Sequence, residues 1–254
     1  MLIAITRAVS PAIDRCELSH LKRHPIDLEC AIAQHRAYEA ALQSIGVEVH
    51  SLQAEPDMPD SVFVEDTAIV LDECAVITRP GADSRKLEIW SIAQALTPYR
   101  KLFTIQTPST LDGGDVLRIG KTIYIGLSRR SDPSAIGQMQ TFLSPFGYTV
   151  RGIPVSGCLH LKSAITQAAE DMLIVNPAWV DKSAFPGLKF IEVHPSEPYA
   201  ANALLVGGTV IYQPVYPKTL TRLKSAGINP LLVNQSELGK AEGALTCCSL
   251  IFKA

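Results

Sequence analysis

Two adjacent cysteines lie near the C-terminus, in the segment EGALTCCSLIF at residues 242–252. A cysteine that ionises beside a base or a positive charge is a nucleophile, whereas most other free cysteines are small buried hydrophobic residues. The apolar and β-branched neighbours of Cys247 and Cys248 predict a strand, in which successive side chains point to opposite faces. We therefore predict that one cysteine is a nucleophile and that the other packs in the core.

A histidine and a carboxylate elsewhere in the chain could complete such a site. His160 lies between two leucines in GCLHLKSAIT, which also suits an ordinary core histidine, but its unperturbed pKa near neutrality makes it a natural general acid or base. Asp112 and Asp115 flank a glycine pair in TLDGGDVLRIG, which permits a hairpin turn or a close approach of the backbone to another group. Cysteine, histidine and an orienting carboxylate form a common arrangement for nucleophilic catalysis.

Three more carboxylates occur together in PDSVFVEDTAIV, at Asp60, Glu65 and Asp66. Glu65 and Asp66 would point to opposite faces of a regular strand unless a bulge intervenes. The segment is therefore interpreted either as the polar end of a strand or as a site for a cation.

Zinc is an alternative use of Cys247, Cys248 and His160. Adjacent residues of a strand point to opposite faces, so both sulfur atoms could hardly reach one ion. The same pattern therefore disfavours a structural zinc site, and we expect no metal.

Composition limits the classes of protein to consider. The chain has 254 residues, 47% of them apolar, and a formal net charge of -2, which is unlike a nucleic-acid-binding protein. No apolar run approaches the roughly 18 residues needed to cross a bilayer, and the N-terminus does not have the order of segments found in a secretory signal. Six scattered cysteines without a CxxC pattern are typical of free thiols in the cytoplasm. We expect a cytoplasmic protein with no nucleic-acid or membrane partner.

One pattern recurs five times along the chain: a short β-branched run, then Gly or Pro, then a polar turn. The copies start at Ile3, Ala75, Ile123, Leu173 and Val210. Irregular repeats of this length indicate blades or arrays of similar units.

Helical patterns follow several of these copies, with apolar residues at helical spacing. They cover residues 27–45, which end at Gly46, and residues 84–96, 133–143 and 217–226. No linker rich in Pro, Gly or Ser divides the chain. We expect one domain, residues 1–254, built from repeated α/β units.

Seven motifs together resemble those of the dimethylarginine dimethylaminohydrolases. PDSVFVED, ITRPGADSR, LDGGDVL, IGLSRR, LHLK, YAAN and LTCCS occur in that family's order and approximate spacing, so that the resemblance extends from about Ile3 to Phe252. It implies the fold of the guanidino-group-modifying superfamily, a five-bladed α/β propeller with pseudo-fivefold symmetry.

The resemblance also implies an activity, the hydrolysis of a C–N bond in the guanidino group of Nω-methylated L-arginine. The products would be L-citrulline and dimethylamine or methylamine, formed through a covalent thiouronium intermediate and without a metal or organic cofactor. By position in the motifs, Cys247 is the nucleophile, His160 the general acid and base, and Asp112 the carboxylate that orients the histidine. Several bacterial members have Glu in that last place, so this chain follows the animal-like pattern.

Substrate contacts can be assigned in the same way at the guanidino and α-amino groups. The resemblance implies that Asp66, with Glu65, holds the guanidinium, and that Asp60 lies near the α-amino group. Two carboxylates suit a planar cationic array of N–H groups, because the hydrogen bonds are charge-assisted.

Further contacts are implied for the α-carboxylate end. Arg85 and Arg130 would clamp the carboxylate, and Ala241 would offer its carbonyl oxygen. Cys16 stands where family members have a leucine in the flexible loop over the site. The family uses the backbone carbonyl there, so we expect Cys16 to keep that contact within a differently packed loop.

Alternative functions are considered beside this one. Arginine deiminases act on unmethylated arginine, but they are longer and usually have an acidic residue two positions after the catalytic histidine, where this chain has Lys162. Agmatine deiminase is disfavoured because agmatine has no carboxylate for Arg85 and Arg130. A catalytically silent protein that binds methylarginines or metal ions is disfavoured by the intact set of catalytic residue types. The expected partner is a small guanidino amino acid, and a homodimer is compatible with this assignment.

Overall fold

Five small sheets of three strands each make up the structure, a computed structural model that describes residues 1–254. The five copies of the repeated motif form the central strand of each sheet, which confirms the predicted α/β fold with five blades. The central strands are β1 (Leu2–Arg7), β4 (Cys74–Ile77), β7 (Thr122–Leu127), β10 (Met172–Val175) and β13 (Thr209–Tyr212).

All five sheets are built in the same way. One strand pairs antiparallel with the central strand, and the third strand pairs with it in parallel. The antiparallel strands are β15 (Leu250–Lys253), β3 (Ala68–Val70), β6 (Val116–Ile119), β9 (Ile165–Ala169) and β12 (Leu204–Val206). The parallel strands are β2 (Val47–Leu52), β5 (Lys101–Thr104), β8 (Thr149–Pro154), β11 (Lys189–Glu192) and β14 (Leu231–Leu232). Because β15 pairs with β1, the two ends of the chain share one sheet.

Helices connect the central strand to the parallel strand in four of the sheets, since a parallel pair requires a crossover. The six helices are α1 (Leu28–Ser44), α2 (Ile89–Leu96), α3 (Pro133–Leu143), α4 (Leu161–Ala164), α5 (Pro217–Ser225) and α6 (Ser236–Gly239). The four predicted helices are confirmed, but α2 begins later than predicted because Asp83–Arg85 forms a separate 3-10 turn. None of the helices has both the length and the apolar character required to span a membrane.

Local sequence explains where the helices begin and end. The Asp27 side chain accepts a hydrogen bond from the backbone N–H of Cys30 and caps α1, which stops before Gly46 at a φ of 84°. Met139 and Leu143 on α3 are fully buried in the same apolar cluster as Ile123 of β7. Burial of such a side chain stabilises the fold by about 1.5–3 kcal/mol.

Short helical turns precede four of the five antiparallel strands. They are Val64–Thr67 before β3, Gly113–Asp115 before β6, α4 before β9 and Thr246–Cys248 before β15. A strand was predicted from the sequence at Val64–Thr67 and at Thr246–Cys248, and that prediction is wrong. Each turn, or the residue that caps it, carries a predicted site residue, so the repeated fold brings one such residue from each of four sheets to a common place.

Candidate active site

The predicted site residues converge on one small cavity of about 20 Å³. All of them line it except Glu65 and Cys16. The lining residues are Glu17, Asp60, Phe63, Asp66, Arg85, Asp112, Arg130, Leu159, His160, Ala241, Glu242, Gly243 and Cys247.

His160 and Asp112 form a direct hydrogen-bonded pair. The His160 Nε2 atom lies 3.0 Å from Asp112 Oδ2, and both side chains are buried. The other carboxylate oxygen of Asp112 accepts a hydrogen bond of 2.8 Å from the backbone N–H of Gly81. On its other side, His160 Nδ1 lies 3.9 Å from Asp66 Oδ1. The imidazole is therefore held between two carboxylates in a fixed orientation.

The glycine pair beside Asp112 permits this approach and does not form a hairpin turn. A Cβ atom on Gly114 would lie 2.5 Å from His160 Nδ1 and 2.8 Å from Asp66 Oδ1. A Cβ atom on Gly113 would lie 1.9 Å from the carbonyl oxygen of Glu65. Of the two readings that the sequence allowed, close approach is the correct one, because any side chain at Gly114 would displace the imidazole or the carboxylate.

Asp66 is a second anchor of the site. One of its oxygens accepts a hydrogen bond of 2.9 Å from the backbone N–H of Gly114, and the other accepts one from Arg85. Burial alone would raise the Asp66 pKa, but the positive charges of His160 and Arg85 outweigh it and hold the pKa below its usual range. Asp66 is therefore an anion at neutral pH, inside a cavity lined by Cys247.

The two adjacent cysteines occupy different environments. Cys247 is half-buried and lines the cavity, whereas Cys248 is completely buried in an apolar cluster, with its sulfur 3.6 Å from the carbonyl oxygen of Ala244. Cys248 therefore packs in the core as predicted, whereas the role of Cys247 as the nucleophile stays a prediction. The stated reason is wrong, because both cysteines lie on a 3-10 turn and not on a strand. A zinc site formed by Cys247, Cys248 and His160 does not fit this arrangement, since Cys248 does not reach the cavity.

Ionisation of Cys247 is opposed by its surroundings. Burial raises the pKa of its thiol well above the ordinary value, and the negative charges of Glu65 and Asp66 raise it further. Burial also acts against the charged form of His160. However, Asp66, Asp115 and Asp112 outweigh burial and raise the His160 pKa to about 9. At neutral pH the site therefore contains a thiol and an imidazolium.

Asp115, the second carboxylate of the DGGD motif, binds the backbone next to His160. Its Oδ1 atom accepts a hydrogen bond of 2.9 Å from the backbone N–H of Leu161, next to His160, and its Oδ2 atom accepts from the hydroxyls of Ser128 and Ser131. Burial raises the pKa of Asp115 to about 6. No role could be assigned to Asp115 from the sequence, because only the folded chain shows its contact with the histidine segment.

Glu65 points away from the cavity into a buried polar network. It pairs with Lys162, and its Oε2 atom accepts a hydrogen bond of 2.8 Å from the Thr246 hydroxyl. Asn202 donates to the same hydroxyl at 3.0 Å and to the carbonyl oxygen of Lys162 at 3.1 Å. The network thus joins the residue before Cys247 to the segment that follows His160. The prediction that Glu65 contacts substrate stays a prediction, but its oxygens are engaged elsewhere.

The two predicted clamp arginines differ in how free they are. Arg85 already binds the carboxylates of Asp66 and Glu88 and the carbonyl oxygens of Asp60 and Phe63. Arg130 lines the same cavity without a carboxylate partner, and its Nη2 atom donates to the Ser19 hydroxyl at 3.1 Å.

Cys16 is buried and does not line the cavity. Its backbone carbonyl oxygen accepts a hydrogen bond of 2.6 Å from Arg23, and the same guanidinium lies 3.7 Å from its sulfur. The carbonyl that was expected to bind substrate is therefore occupied by the protein itself. The following residue, Glu17, donates its backbone N–H to Asp60 at 3.0 Å. The substrate contact of Cys16 stays a prediction.

Comparison with known proteins places these observations in a family. A model of the family described as "N,N dimethylarginine dimethylhydrolase, eukaryotic" matches residues 6–183. The N(G),N(G)-dimethylarginine dimethylaminohydrolase of Streptomyces coelicolor is 38% identical over 249 residues, which cover 97% of this chain and 95% of that protein. The enzyme of the same name from Pseudomonas aeruginosa is 34% identical over 253 residues, covering 99% and 98%.

A solved structure shares both the fold and the extent of the chain. A cysteine-to-serine mutant of the Pseudomonas aeruginosa protein, in complex with citrulline, superposes with a TM-score of 0.94 at 32% identity and covers 98% of each chain. The five-sheet architecture is therefore that of a protein crystallised with citrulline.

Proposed function

The chain belongs to the dimethylarginine dimethylaminohydrolase family, and on that ground we propose that it hydrolyses Nω-methylated L-arginine to L-citrulline and a methylamine. The reaction breaks a C–N bond of an amidine. The observation that carries the proposal is the cavity in which Cys247 lies with the hydrogen-bonded pair of His160 and Asp112.

Substrate binding depends on the charge of the cavity. Asp66 is an anion beside both Cys247 and His160, so it is suited to hold a planar guanidinium through charge-assisted hydrogen bonds. A cation bound there offsets the negative charges that oppose ionisation of Cys247. The thiol therefore loses its proton to solvent when the substrate binds, and not before.

The first chemical step joins the sulfur to the substrate. The Cys247 thiolate attacks the guanidino carbon, and a C=N electron pair moves to nitrogen, giving a tetrahedral adduct. The His160 imidazolium protonates the departing amine nitrogen, the C–N bond breaks, and a thiouronium remains on Cys247. The raised pKa of His160 suits this role, because the residue is protonated at neutral pH when the amine leaves.

The second step releases the product. His160, now neutral, removes a proton from a water molecule that attacks the thiouronium carbon. The C–S bond breaks, the remaining proton of the water passes to the departing sulfur, and the oxygen becomes the ureido oxygen of citrulline, so that the Cys247 thiol is free again. Asp112 fixes the ring orientation through both transfers. General acid–base assistance of this kind is typically worth about 10² to 10⁴ in rate.

The α-amino and α-carboxylate groups lie at the other end of the cavity in this proposal. Arg130 supplies the free guanidinium for the carboxylate, since Arg85 is already paired with Asp66 and Glu88. Asp60 faces the same space and accepts the α-amino group together with the carbonyl oxygen of Ala241.

The test is a side-by-side measurement on four compounds: asymmetric dimethylarginine, monomethylarginine, arginine and agmatine. We expect the two methylated amino acids to yield citrulline together with dimethylamine or methylamine. Their kcat/KM values should be higher than those for arginine and agmatine. Preferential release of ammonia from arginine would instead favour an arginine deiminase-like hydrolase. Turnover of agmatine as fast as that of the amino acids would contradict the carboxylate clamp. Stoichiometric binding of methylarginine without any product would indicate a binding protein.

A cytoplasmic location and a homodimeric assembly remain part of the proposal. Fractionation of cells that express the protein tests the location, and light scattering of the purified protein tests the assembly.

A further inference from the structure

Glu242 makes an unusual set of contacts beside the cavity. Its carboxylate accepts hydrogen bonds from three successive backbone N–H groups, those of Ser19, His20 and Leu21, at distances between 2.5 and 3.1 Å. Successive N–H groups at a bend in the chain form a concave site for an anion. Here the anion is a side chain 221 to 223 positions away in the sequence.

The backbone at Glu242 is held in an uncommon conformation. Glu242 is the one residue other than glycine with a positive φ, at 60°. It lies between Ala241 and Gly243, both of which line the cavity. A Cβ atom on Gly243 would come within 2.2 Å of the Phe63 ring, so this turn is packed tightly against the cavity wall. The turn thus points the Glu242 carboxylate outward from a rigid support.

The segment that Glu242 holds covers the site. We call residues 17–24 the lid segment. Besides the three bonds to Glu242, its Glu17 N–H donates to Asp60, and its Ser19 hydroxyl accepts from Arg130. Every one of these contacts ends on a residue that lines the cavity. Most of the lid segment is itself exposed and Leu18 is its one contact with an apolar cluster, so hydrogen bonds contribute most of what holds it in place.

The free space between these residues is too small for an amino acid. At about 20 Å³, it has room for about one water molecule, so the lid segment must move before any substrate of the proposed reaction enters. We infer that Glu242 is a latch: its carboxylate holds the lid segment closed by gripping the N–H groups of Ser19, His20 and Leu21. This inference rests on the proposed function only where it concerns substrate.

A latch of this kind acts on binding and not on chemistry. We expect the bonds between Glu242 and the lid segment to form again once the side chains that line the cavity have rearranged around a substrate, so that they slow its escape. Glu242 is therefore a positioning residue, because it acts through the lid segment and touches none of the proposed reacting atoms. Its loss is expected to raise KM while leaving kcat unchanged or higher, since product also leaves more easily.

The testing variant is Glu242→Gln, which keeps the length of the side chain and removes its charge. We expect an increase of about tenfold in KM for monomethylarginine, since a neutral amide replaces a carboxylate that accepts several hydrogen bonds. Two readouts need no turnover. Trypsin should cleave the ligand-free variant faster after Lys22 and Arg23, and iodoacetamide should alkylate Cys247 faster than in the unaltered protein.

Glu197→Gln is the matched control. The Glu197 carboxylate also accepts hydrogen bonds from successive backbone N–H groups, those of Lys218 at 2.9 Å and Thr219 at 2.7 Å, but at the start of α5. This variant should lower the stability of the protein and change neither KM, nor cleavage of the lid segment, nor alkylation. If Glu242→Gln does not fold, Glu242→Asp is measured in its place, with the same expected direction because the shorter side chain cannot span the same distances.

The outcomes separate the latch from the function. Cleavage, alkylation and KM all within twofold of the unaltered protein would overturn the latch. Faster cleavage and alkylation in a protein that releases no citrulline would leave the latch standing and overturn the proposed function. A large loss of kcat with unchanged cleavage would also overturn the latch, because Glu242 would then act on chemistry.

Discussion

Cys247 and His160 line one cavity, yet the charges around them favour the protonated form of both side chains. The carboxylates that raise the pKa of the histidine to about 9 include Asp66, which also raises the pKa of the thiol. A preformed thiolate would require the imidazolium to outweigh Glu65, Asp66 and burial together. In the proposed reaction, the charge of the substrate is therefore part of the activation of Cys247.

The resting state of Cys247 can be measured directly through the ultraviolet absorbance of its thiolate. Because the folded-state pKa is raised above its ordinary value of 9.0, Cys247 should remain a thiol throughout the neutral range and ionise only as the pH rises beyond it. The difference in absorbance between the protein and its Cys247→Ser variant should therefore be flat below pH 7. A step well below neutrality would mean that a thiolate–imidazolium pair forms before any ligand arrives.

The two adjacent cysteines should respond differently to the same substitution. Cys247→Ser is expected to lower kcat/KM by at least about 10³-fold, since it removes the nucleophile. Cys248→Ser should retain turnover and lose about 1–3 kcal/mol in free energy of unfolding, because a hydroxyl replaces a sulfur in an apolar cluster. Steady-state kinetics and chemical denaturation provide the two readouts. Equal loss of activity in two folded variants would contradict the assignment.

For single residues, the sequence indicated which side chains could do chemistry, but it did not indicate which other side chains they contact. Cys247, His160 and Asp112 could be selected because their chemistry is distinctive. The engagement of Arg85 with Asp66 and Glu88 could not be predicted, because it depends on where a 3-10 turn before α2 points its side chains. The bonds from Glu242 to the lid segment were missed for the same reason, since no local pattern joins positions so far apart.

At the scale of elements, the site depends on the short helical turns that precede the antiparallel strands. Central strands and long helices were predictable, because their apolar residues follow regular spacing. The turns at Val64–Thr67 and Thr246–Cys248 were read as strand, since three or four residues are too few to show a helical period and their β-branched residues favour strands. These elements nevertheless decide which side chains reach the cavity.

The glycine pair gives the sharpest test at this scale. Gly114→Ala places a methyl group within 2.5 Å of His160 Nδ1, so we expect kcat to fall by about 10² or more through displacement of the imidazole. Gly137→Ala on α3 is the control, because its Cβ would meet nothing within 4 Å. That variant should keep full activity and gain about 0.5–1 kcal/mol in free energy of unfolding. Normal kcat in Gly114→Ala would show that the close packing is not required.

At the scale of the whole molecule, five sheets with the same arrangement of strands surround the site. The pairing of β15 with β1 places both ends of the chain in one sheet. Four of the sheets each supply one residue to the site through the turn before their antiparallel strand. The five copies of the repeat could be counted in the sequence. The pairing of the first and last strands, which closes the fold, could not be predicted because it leaves no periodic pattern.

This closure predicts that residues 1–254 unfold as one domain. Trp90→Phe leaves Trp179, in the connection between β10 and β11, as the single tryptophan. Its fluorescence reports on the fourth sheet, whereas far-ultraviolet circular dichroism reports on all five. We expect both probes to show one transition at the same denaturant concentration. Two separated transitions would mean that the sheets belong to more than one cooperative unit.

The central claim is that Cys247 forms a covalent bond with the guanidino carbon and that this bond persists after the methylated amine has left. It is tested by quenching the unaltered protein with acid during turnover and determining the mass of the peptide that contains Cys247. The claim predicts the same added mass from monomethylarginine and from dimethylarginine, because the methyl groups depart with the amine. An added mass that differs between the two substrates, or citrulline release without modification of Cys247, would contradict it.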